Sequence, residues 1–195
     1  MVDSSSIDGT AEIVEDLSKK FPNIRLHSTS KMGYGAALLE GIKLAKGDII
    51  VTFDGDGDFD PADIPKLLQP LLSSKADLVL GSRYLGQIRP GSVSFKHMLG
   101  NKILCFLFRV LFRIKLTDIM TTLKAIKKEM LLKLDLKASD FSINVELLTK
   151  VVKSNFVLKE APVTYRQRHV VYANPGSILT NAVSIFSELI GGIRR

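Results

Sequence analysis

Four aspartates stand at every second position of the segment GDIIVTFDGDGDFDPADIP, residues 47–65, directly after an apolar run. They are Asp54, Asp56, Asp58 and Asp60. Neighbouring carboxylates without a counter-charge repel one another and destabilise a fold. Mg²⁺ and Mn²⁺ prefer oxygen ligands and often use one or two carboxylates together with substrate phosphates. The spacing therefore favours a divalent cation shared with a phosphate, and Gly55 lets such a ligand approach the backbone closely.

A calcium loop and a structural turn are the two alternatives to this cation site. An EF-hand calcium loop also begins D-x-D-x-D, but it needs Gly at its sixth position and Glu at its twelfth, where this chain has Phe59 and Pro65. The calcium loop is therefore excluded. A structural turn suits Asp60 better than a metal does, because Asp60 can cap a helix that starts at Pro61.

The elements around the aspartates alternate between strands and helices. Strands are predicted at 24–29, 48–53, 76–82 and 156–165, with a short extended piece at 118–125. Helices are predicted at about 10–21, 35–47, 61–72, 99–116 and 142–153, and from about Ile178 onward. This alternation predicts an α/β fold with a mainly parallel sheet flanked by helices. The aspartates follow the strand at 48–53, at the kind of sheet edge where ligands bind in such folds.

The composition fits one globular domain over residues 1–195, with 46% hydrophobic residues and a formal net charge of +7. A basic balance suits an anionic partner, such as a nucleotide or a phospholipid surface. Because Trp is absent and only four Tyr occur, we expect no nucleic-acid partner. The single cysteine, Cys105, excludes an internal disulfide and agrees with a cytoplasmic location.

Six segments occur in an order that resembles a known enzyme family. They are VDSSSIDGT, KMGYGAALLEGIKLAKGDIIVTFDGD, ADLVLGSRY, DIMTTLKA, FSINVELL and KEAPVTYRQR. Together they resemble the inverting family-2 glycosyltransferases of GT-A fold, with the strongest likeness to the polyprenyl-phosphate sugar synthases. Members of that family normally begin with a further strand ending in a P-x-Y-N-E-like motif, and this sequence starts after that point. The resemblance therefore implies a GT-A domain that lacks the usual N-terminal strand.

The resemblance also implies roles for individual residues. Asp3 is expected to contact the nucleotide base. Asp54, Gly55 and Asp56 are expected to bind the diphosphate of the donor, and Mg²⁺ or Mn²⁺ is expected on Asp54, Asp56 and Asp58. The implied catalytic residues are Asp56, Arg83 and Arg168, with the two arginines facing the diphosphate and the acceptor phosphate. Residues 1–90 are expected to bind the nucleotide sugar and residues 91–195 the acceptor.

Several of these residues can also have purely structural roles. Arg83 can be a surface residue after a strand, and Arg168 a solvated charge on an edge strand. Asp118 aligns with an acidic residue of the family but can equally bond within its loop. Glu146 can face solvent from an otherwise apolar helix, or lie nearer the site as its family counterpart does.

The basic, apolar helix predicted at 99–116 can occupy either of two environments. It can be a core helix with solvated basic residues, or it can lie at a bilayer interface. In the second case Phe106, Leu107 and Phe112 are buried in lipid while basic residues meet lipid phosphates, and Arg194 and Arg195 lie near the headgroups. A peripheral position at the cytoplasmic face of the membrane is then expected, since the basic residues interrupt any run long enough to span a bilayer.

The sequence-based hypothesis is a metal-dependent, inverting transfer of a hexose from GDP-mannose or UDP-glucose to a polyprenyl (dolichyl) phosphate. Transfer to a sugar or protein hydroxyl is an alternative, and that chemistry needs a carboxylate base. A catalytically inactive binding module with the same fold is a second alternative. It predicts no transfer, and absent binding of GDP and UDP in the presence of Mn²⁺ would favour it.

Overall fold

The computed structural model describes residues 1–31, 33–166 and 183–191. Arg168, Arg194, Arg195 and the predicted start of the last helix at Ile178 lie outside the described residues. Six strands are described: β1 Val2–Asp3, β2 His27–Ser28, β3 Ile49–Thr52, β4 Leu78–Ile88, β5 Lys124–Lys127 and β6 Leu158–Tyr165. The helices are α1 Thr10–Lys20, α2 Tyr34–Leu44, α3 Ile64–Leu72, α4 Phe95–Phe112, α5 Lys128–Lys133 and α6 Ile143–Lys153, and residues 183–191 are also helical.

The strands form two sheets. A four-stranded sheet has the order β3-β5-β4-β6, and β1 pairs with β2 in a separate parallel pair. Strand β5 runs antiparallel to both β3 and β4, whereas β4 and β6 are parallel. The predicted α/β class is confirmed, but the larger sheet is mixed rather than mainly parallel. The difference arises because β5, predicted only as a short extended piece, inserts between β3 and β4 in the opposite direction.

The two faces of the larger sheet carry separate hydrophobic clusters. Alternate residues of a strand point to opposite faces. Leu78 and Leu80 of β4 therefore pack with Phe108 of α4 and with α6, while Val79 packs with Leu67 of α3. The sheet is thus covered by α4 and α6 on one face and by α3 on the other.

Strand β4 extends beyond its predicted end at Ser82, as far as Ile88. The pairing of β4 with β6 shifts register between Ser82 and Gln87. A side chain at Gly86 would collide with the backbone of Val163, so glycine is required where the two strands approach each other. Arg83 lies in this extension, in the stretch between Ser82 and Gln87 where the register shifts.

Local capping signals explain where two of the helices start. The Asp60 carboxylate accepts a hydrogen bond from the backbone N–H of Ala62 at 3.0 Å, as predicted, and begins a 3-10 turn at Pro61–Asp63 that leads into α3. Helix α4 begins after Ser94, whose hydroxyl accepts from the N–H of His97, and it ends at Phe112 because Arg113 is left-handed at φ 59°. The predicted range 99–116 is therefore corrected to 95–112. Helix α5 was not predicted.

Candidate active site

The aspartate loop, which we define as residues 53–60, follows the carboxyl end of β3. Asp54 and Asp56 are partly exposed, whereas Asp58 is only 4% exposed. The space beside the Cα atoms of Gly55 and Gly57 is open, and Gly57 has a φ of 77° that favours glycine. The loop therefore offers carboxylates on a backbone that a ligand can approach.

The end of β6 is fastened to this loop by several contacts. The Tyr165 hydroxyl donates a hydrogen bond of 2.6 Å to Oδ2 of Asp58, and the backbone N–H of Arg166 donates to the carbonyl oxygen of Asp58 at 2.8 Å. The Arg166 guanidinium also forms an ion pair with Asp60. The rings of Phe59 and Tyr165 meet edge to face with centroids 5.1 Å apart. The position of the aspartate loop therefore depends on β6.

Arg83 forms a buried ion pair with Asp118. Its Nε and Nη2 donate to the two carboxylate oxygens at 2.7 and 2.8 Å, and its backbone N–H donates at 3.1 Å. The Arg83 side chain is 14% exposed and that of Asp118 is fully buried, so a surface position for Arg83 is wrong. Burial opposes the charged guanidinium, but the hydrogen bonds and charge of Asp118 outweigh it and raise the pKa of Arg83. The rings of Tyr84 and Tyr165 lie 5.7 and 5.2 Å from the guanidinium carbon.

Glu160 on β6 holds the loop that carries Asp118. Its carboxylate accepts hydrogen bonds from the backbone N–H groups of Thr117 and Asp118, each at 3.0 Å, and from the Thr117 hydroxyl at 2.9 Å. The sequence pattern alone assigned no role to Glu160, although this residue belongs to the E-x-P-V-x-Y-x-x-R segment. Asp118 has the structural role of a hydrogen-bond acceptor, and the residue that it holds is the candidate catalytic residue Arg83.

Lys124 is a buried lysine near the aspartate loop that the sequence did not single out. Its Nζ donates to the carbonyl oxygen of Thr121 and, at 2.6 Å, to Oδ1 of Asn144. Burial lowers the pKa of Lys124 to about 7, although the negative charges of Asp54 and Asp118 oppose this change. Lys124 is therefore part of the electrostatic surroundings of Asp54.

Tyr34, the first residue of α2, is a second group whose ionisation Asp54 affects. Burial raises the pKa of Tyr34, and the negative charge of Asp54 adds to the effect. The Tyr34 ring stacks on Phe141, with centroids 4.6 Å apart. Tyr34 is therefore an uncharged, aromatic neighbour of the aspartate loop.

Two other candidate residues have well-defined partners. Asp3, at the end of β1, is buried and accepts hydrogen bonds from the N–H and hydroxyl of Ser6. Glu146 is buried, so a solvent-facing position is wrong. Its carboxylate accepts from the N–H groups of Lys137 and Ala138 and pairs with Lys150 at 2.7 Å. Glu146 thus fastens the loop before α6.

A divalent cation fits the aspartate loop only with help from a ligand. No group of three His, Cys, Asp or Glu side chains within residues 1–31, 33–166 and 183–191 converges closely enough to hold a metal ion. Asp54 and Asp56 supply hard oxygen donors on an accessible loop, which suits an ion completed by substrate phosphates. Asp58 does not join them in a three-carboxylate cage, and its Oδ2 atom is held by Tyr165.

Comparison with solved structures identifies the fold. The structure matches glucosyl-3-phosphoglycerate synthase from Mycobacterium tuberculosis, in complex with Mn²⁺, UDP-glucose and phosphoglyceric acid, with a TM-score of 0.71 and 19% identity. The match covers 98% of this chain and 67% of the solved chain. At this identity the likeness establishes the fold, which is that of a GT-A glycosyltransferase.

Sequence comparison then gives the family. The profile "Glycosyl transferase family 2" matches residues 1–135. Polyprenol monophosphomannose synthase of Mycolicibacterium smegmatis is 31% identical over 180 residues, covering 87% of this chain and 67% of that protein. Undecaprenyl-phosphate mannosyltransferase of Micrococcus luteus is 29% identical over 181 residues, covering 87% and 72%. The chain belongs to glycosyl transferase family 2, and the glycosyltransferase class expected from the sequence is confirmed.

Proposed function

We propose that this chain transfers a hexose, with inversion, from a nucleotide sugar to a polyprenyl phosphate, using Mg²⁺ or Mn²⁺ at the aspartate loop. The main support is the pair of accessible carboxylates of Asp54 and Asp56 on the loop that β6 fastens near Arg83. The similarity to two polyprenyl-phosphate mannosyltransferases supports mannose over glucose as the transferred hexose, and GDP-mannose is the donor in this proposal. Asp3 contacts the base in this proposal.

Transfer of a hexose to a phosphate requires cations to stabilise negative charge, and it requires no general base. A divalent ion held by Asp54 and Asp56 supplies charge stabilisation for the departing nucleoside diphosphate. The acceptor phosphate is already an anion, so its oxygen attacks the anomeric carbon directly while the bond from that carbon to the diphosphate breaks. Arg83 donates two of its five side-chain N–H groups to Asp118, and in this proposal other N–H groups of the guanidinium bind a phosphate. Arg168 is the second proposed phosphate ligand.

Helix α4 is the proposed membrane contact in the acceptor-binding part, residues 91–195. Leu104 and Phe108 face the core, while Phe95, Phe106 and Val110 are 60–70% exposed. Leu107 and Phe112 pack against the core, so of the three residues predicted to enter lipid only Phe106 is exposed. An exposed apolar stripe next to basic residues suits the interface of an anionic bilayer. None of the described helices is long and apolar enough to cross a membrane.

The experiment is a transfer assay with purified protein, Mn²⁺, polyprenyl phosphate and labelled GDP-mannose or UDP-glucose. We expect a lipid-linked hexose whose formation stops in EDTA and falls at least about a hundredfold in Asp56→Ala, because the leaving group loses its stabilising ion. Asp16→Ala, which removes an exposed carboxylate from α1, is the control and keeps full activity.

Two results would contradict the proposal. No lipid-linked product with either donor, together with absent binding of GDP and UDP in the presence of Mn²⁺, would favour an inactive binding module. Unchanged product and unchanged Mn²⁺ uptake in Asp56→Ala would remove the metal site from the mechanism.

A further inference from the structure

The contact between Tyr165 and Asp58 joins two parts of the chain that are 107 residues apart. Tyr165 is the last residue of β6, and its hydroxyl reaches the aspartate loop directly. The same ring lies 5.2 Å from the guanidinium carbon of Arg83. One side chain therefore contacts both the loop proposed to hold the metal and the arginine proposed to bind phosphate.

Asp58 differs from Asp54 and Asp56 in its surroundings. It is 4% exposed, whereas the other two carboxylates are partly open to solvent. Its backbone is held from both sides, because its N–H donates to the Asp56 carboxylate at 3.2 Å and its carbonyl oxygen accepts from Arg166 at 2.8 Å. The Tyr165 hydroxyl holds the carboxylate of Asp58, and these two bonds hold its backbone. Asp58 therefore fixes the position of its neighbours in the loop.

We propose that the Tyr165 hydroxyl and the Asp58 carboxylate form a positioning pair that holds the aspartate loop in the geometry in which Asp54 and Asp56 bind the metal ion. This inference rests on the proposed function for its link to the metal. Tyr165 acts through Asp58 and does not itself touch substrate. Outer partners of this kind typically change metal affinity by about 10- to 100-fold when they are removed.

The surroundings of Tyr165 favour a permanent hydrogen-bond donor. Burial raises the pKa of Tyr165, and the hydrogen bond to Asp58 raises it further, while Arg83 opposes the shift. The phenol therefore keeps its proton and donates it to Asp58. Phenylalanine keeps the ring contacts with Phe59 and Arg83, so Tyr165→Phe removes the hydroxyl alone.

The first test measures local opening of the aspartate loop in the absence of metal. Hydrogen exchange of the backbone amides in residues 54–60 is compared in the parent protein, Tyr165→Phe and Asp58→Ala. We expect both variants to exchange at least about tenfold faster in this loop, since a local opening loses one of its main contacts. Tyr84→Phe is the matched control, because the Tyr84 ring also flanks Arg83, and it leaves exchange in the loop unchanged.

The second test measures Mn²⁺ binding by electron paramagnetic resonance, without sugar or lipid. Tyr165→Phe is expected to weaken Mn²⁺ about tenfold or more, and Tyr84→Phe to leave it unchanged. In the Asp58→Ala background, Tyr165→Phe is expected to cause no further loss, because the two residues act as one unit. Melting temperatures confirm that each variant is folded.

The inference is overturned if exchange in the loop is the same in Tyr165→Phe as in the parent protein. It is also overturned if Asp58→Ala weakens Mn²⁺ while Tyr165→Phe does not, since Asp58 is then a ligand that needs no support from Tyr165. Independent, additive losses overturn it as well. If the parent protein binds no Mn²⁺, the proposed function fails, whereas hydrogen exchange still decides whether the pair holds the loop.

Discussion

At the scale of single residues, the ion pair of Arg83 and Asp118 shows how the orientation of a candidate catalytic group is fixed before substrate binds. The two residues are 35 positions apart; the Asp118 side chain is fully buried and that of Arg83 is 14% exposed. Asp118 fixes the guanidinium through two parallel hydrogen bonds, and Glu160 in turn fixes the backbone of Asp118. An arginine held in this way loses little side-chain entropy when it binds a phosphate.

Removing the counter-charge of Arg83 should be costly. Asp118→Asn is expected to lower the free energy of unfolding by about 3 kcal/mol, because the buried guanidinium loses its ionic partner. Urea denaturation measures the loss. Asp16→Asn, which disrupts an exposed ion pair with Lys19, is the control and leaves the urea midpoint unchanged. Equal midpoints for the two variants would contradict the buried pairing.

Lys124 predicts a pH dependence of stability. Its pKa is lowered from 10.5 to about 7 in the folded chain, so between these values the unfolded chain carries a proton that the folded chain lacks. Stability therefore rises with pH through this window, by at most about 1.4 kcal/mol per pH unit. Below pH 7 both states are protonated and the dependence ends.

Urea denaturation from pH 7 towards 10.5, in the parent protein and in Lys124→Met, measures this dependence. The difference in unfolding free energy between the two proteins is expected to shift in favour of the parent as the pH rises. Methionine is an unbranched side chain one atom shorter than lysine, and it does not titrate. A difference that stays constant with pH would show that Lys124 keeps its ordinary pKa.

At the scale of elements, α4 has two faces with different tasks. Phe108 is fully buried in the cluster beneath the sheet, whereas Phe106, two residues earlier, is 65% exposed. The basic residues Lys102 and Arg109 lie on the exposed side. The helix thus packs by one face and leaves an apolar, basic face for contact with something else.

One substitution on each face of α4 tests whether the buried face, and not the exposed face, contributes to stability. Phe108→Ala is expected to cost about 3–5 kcal/mol of unfolding free energy, because it leaves a cavity in the core. Phe106→Ala is expected to change stability by no more than about 0.5 kcal/mol, since its side chain makes few buried contacts. Urea denaturation of both variants provides the comparison. Similar losses would mean that α4 does not pack as described.

At the scale of the whole molecule, positive charge is concentrated around α4. The stretch between Asp77 and Asp118 contains no Asp or Glu, but it contains seven Lys and Arg residues. The formal charge of the chain is +7, so this stretch accounts for the whole excess. Such a field attracts the anionic surface of a membrane and weakens as salt is added.

Sedimentation with lipid vesicles tests the membrane contact. The chain is expected to bind vesicles that contain phosphatidylserine, to lose binding in high salt, and to bind neutral phosphatidylcholine vesicles poorly. Reversing the charges of Lys102 and Arg109 to Glu should weaken binding at least about tenfold. The control reverses Lys19 and Lys20 on α1 and keeps most of the binding. Equal binding by both double variants would argue against α4 as the contact.

Local signals in the sequence determined the class of fold and the place of the aspartates. The alternation of apolar runs predicted most strands and helices, and Asp60 marked the start of the 3-10 turn through its own cap. The position of Asp54 and Asp56 after β3 also followed from neighbouring residues. These features depend on contacts within a few residues, which a sequence pattern contains.

Tertiary structure alone decided the direction of β5 and the partners of Arg83, Asp58 and Glu146. Strand β5 pairs with β3 across 72 to 78 residues and with β4 across 44 to 48 residues. No local sequence pattern indicates the direction of β5. The Tyr165 hydroxyl meets Asp58 only because β6 runs alongside β4 and ends at the aspartate loop. Local propensity carries no information on such distant pairings, since they form only when whole elements pack together.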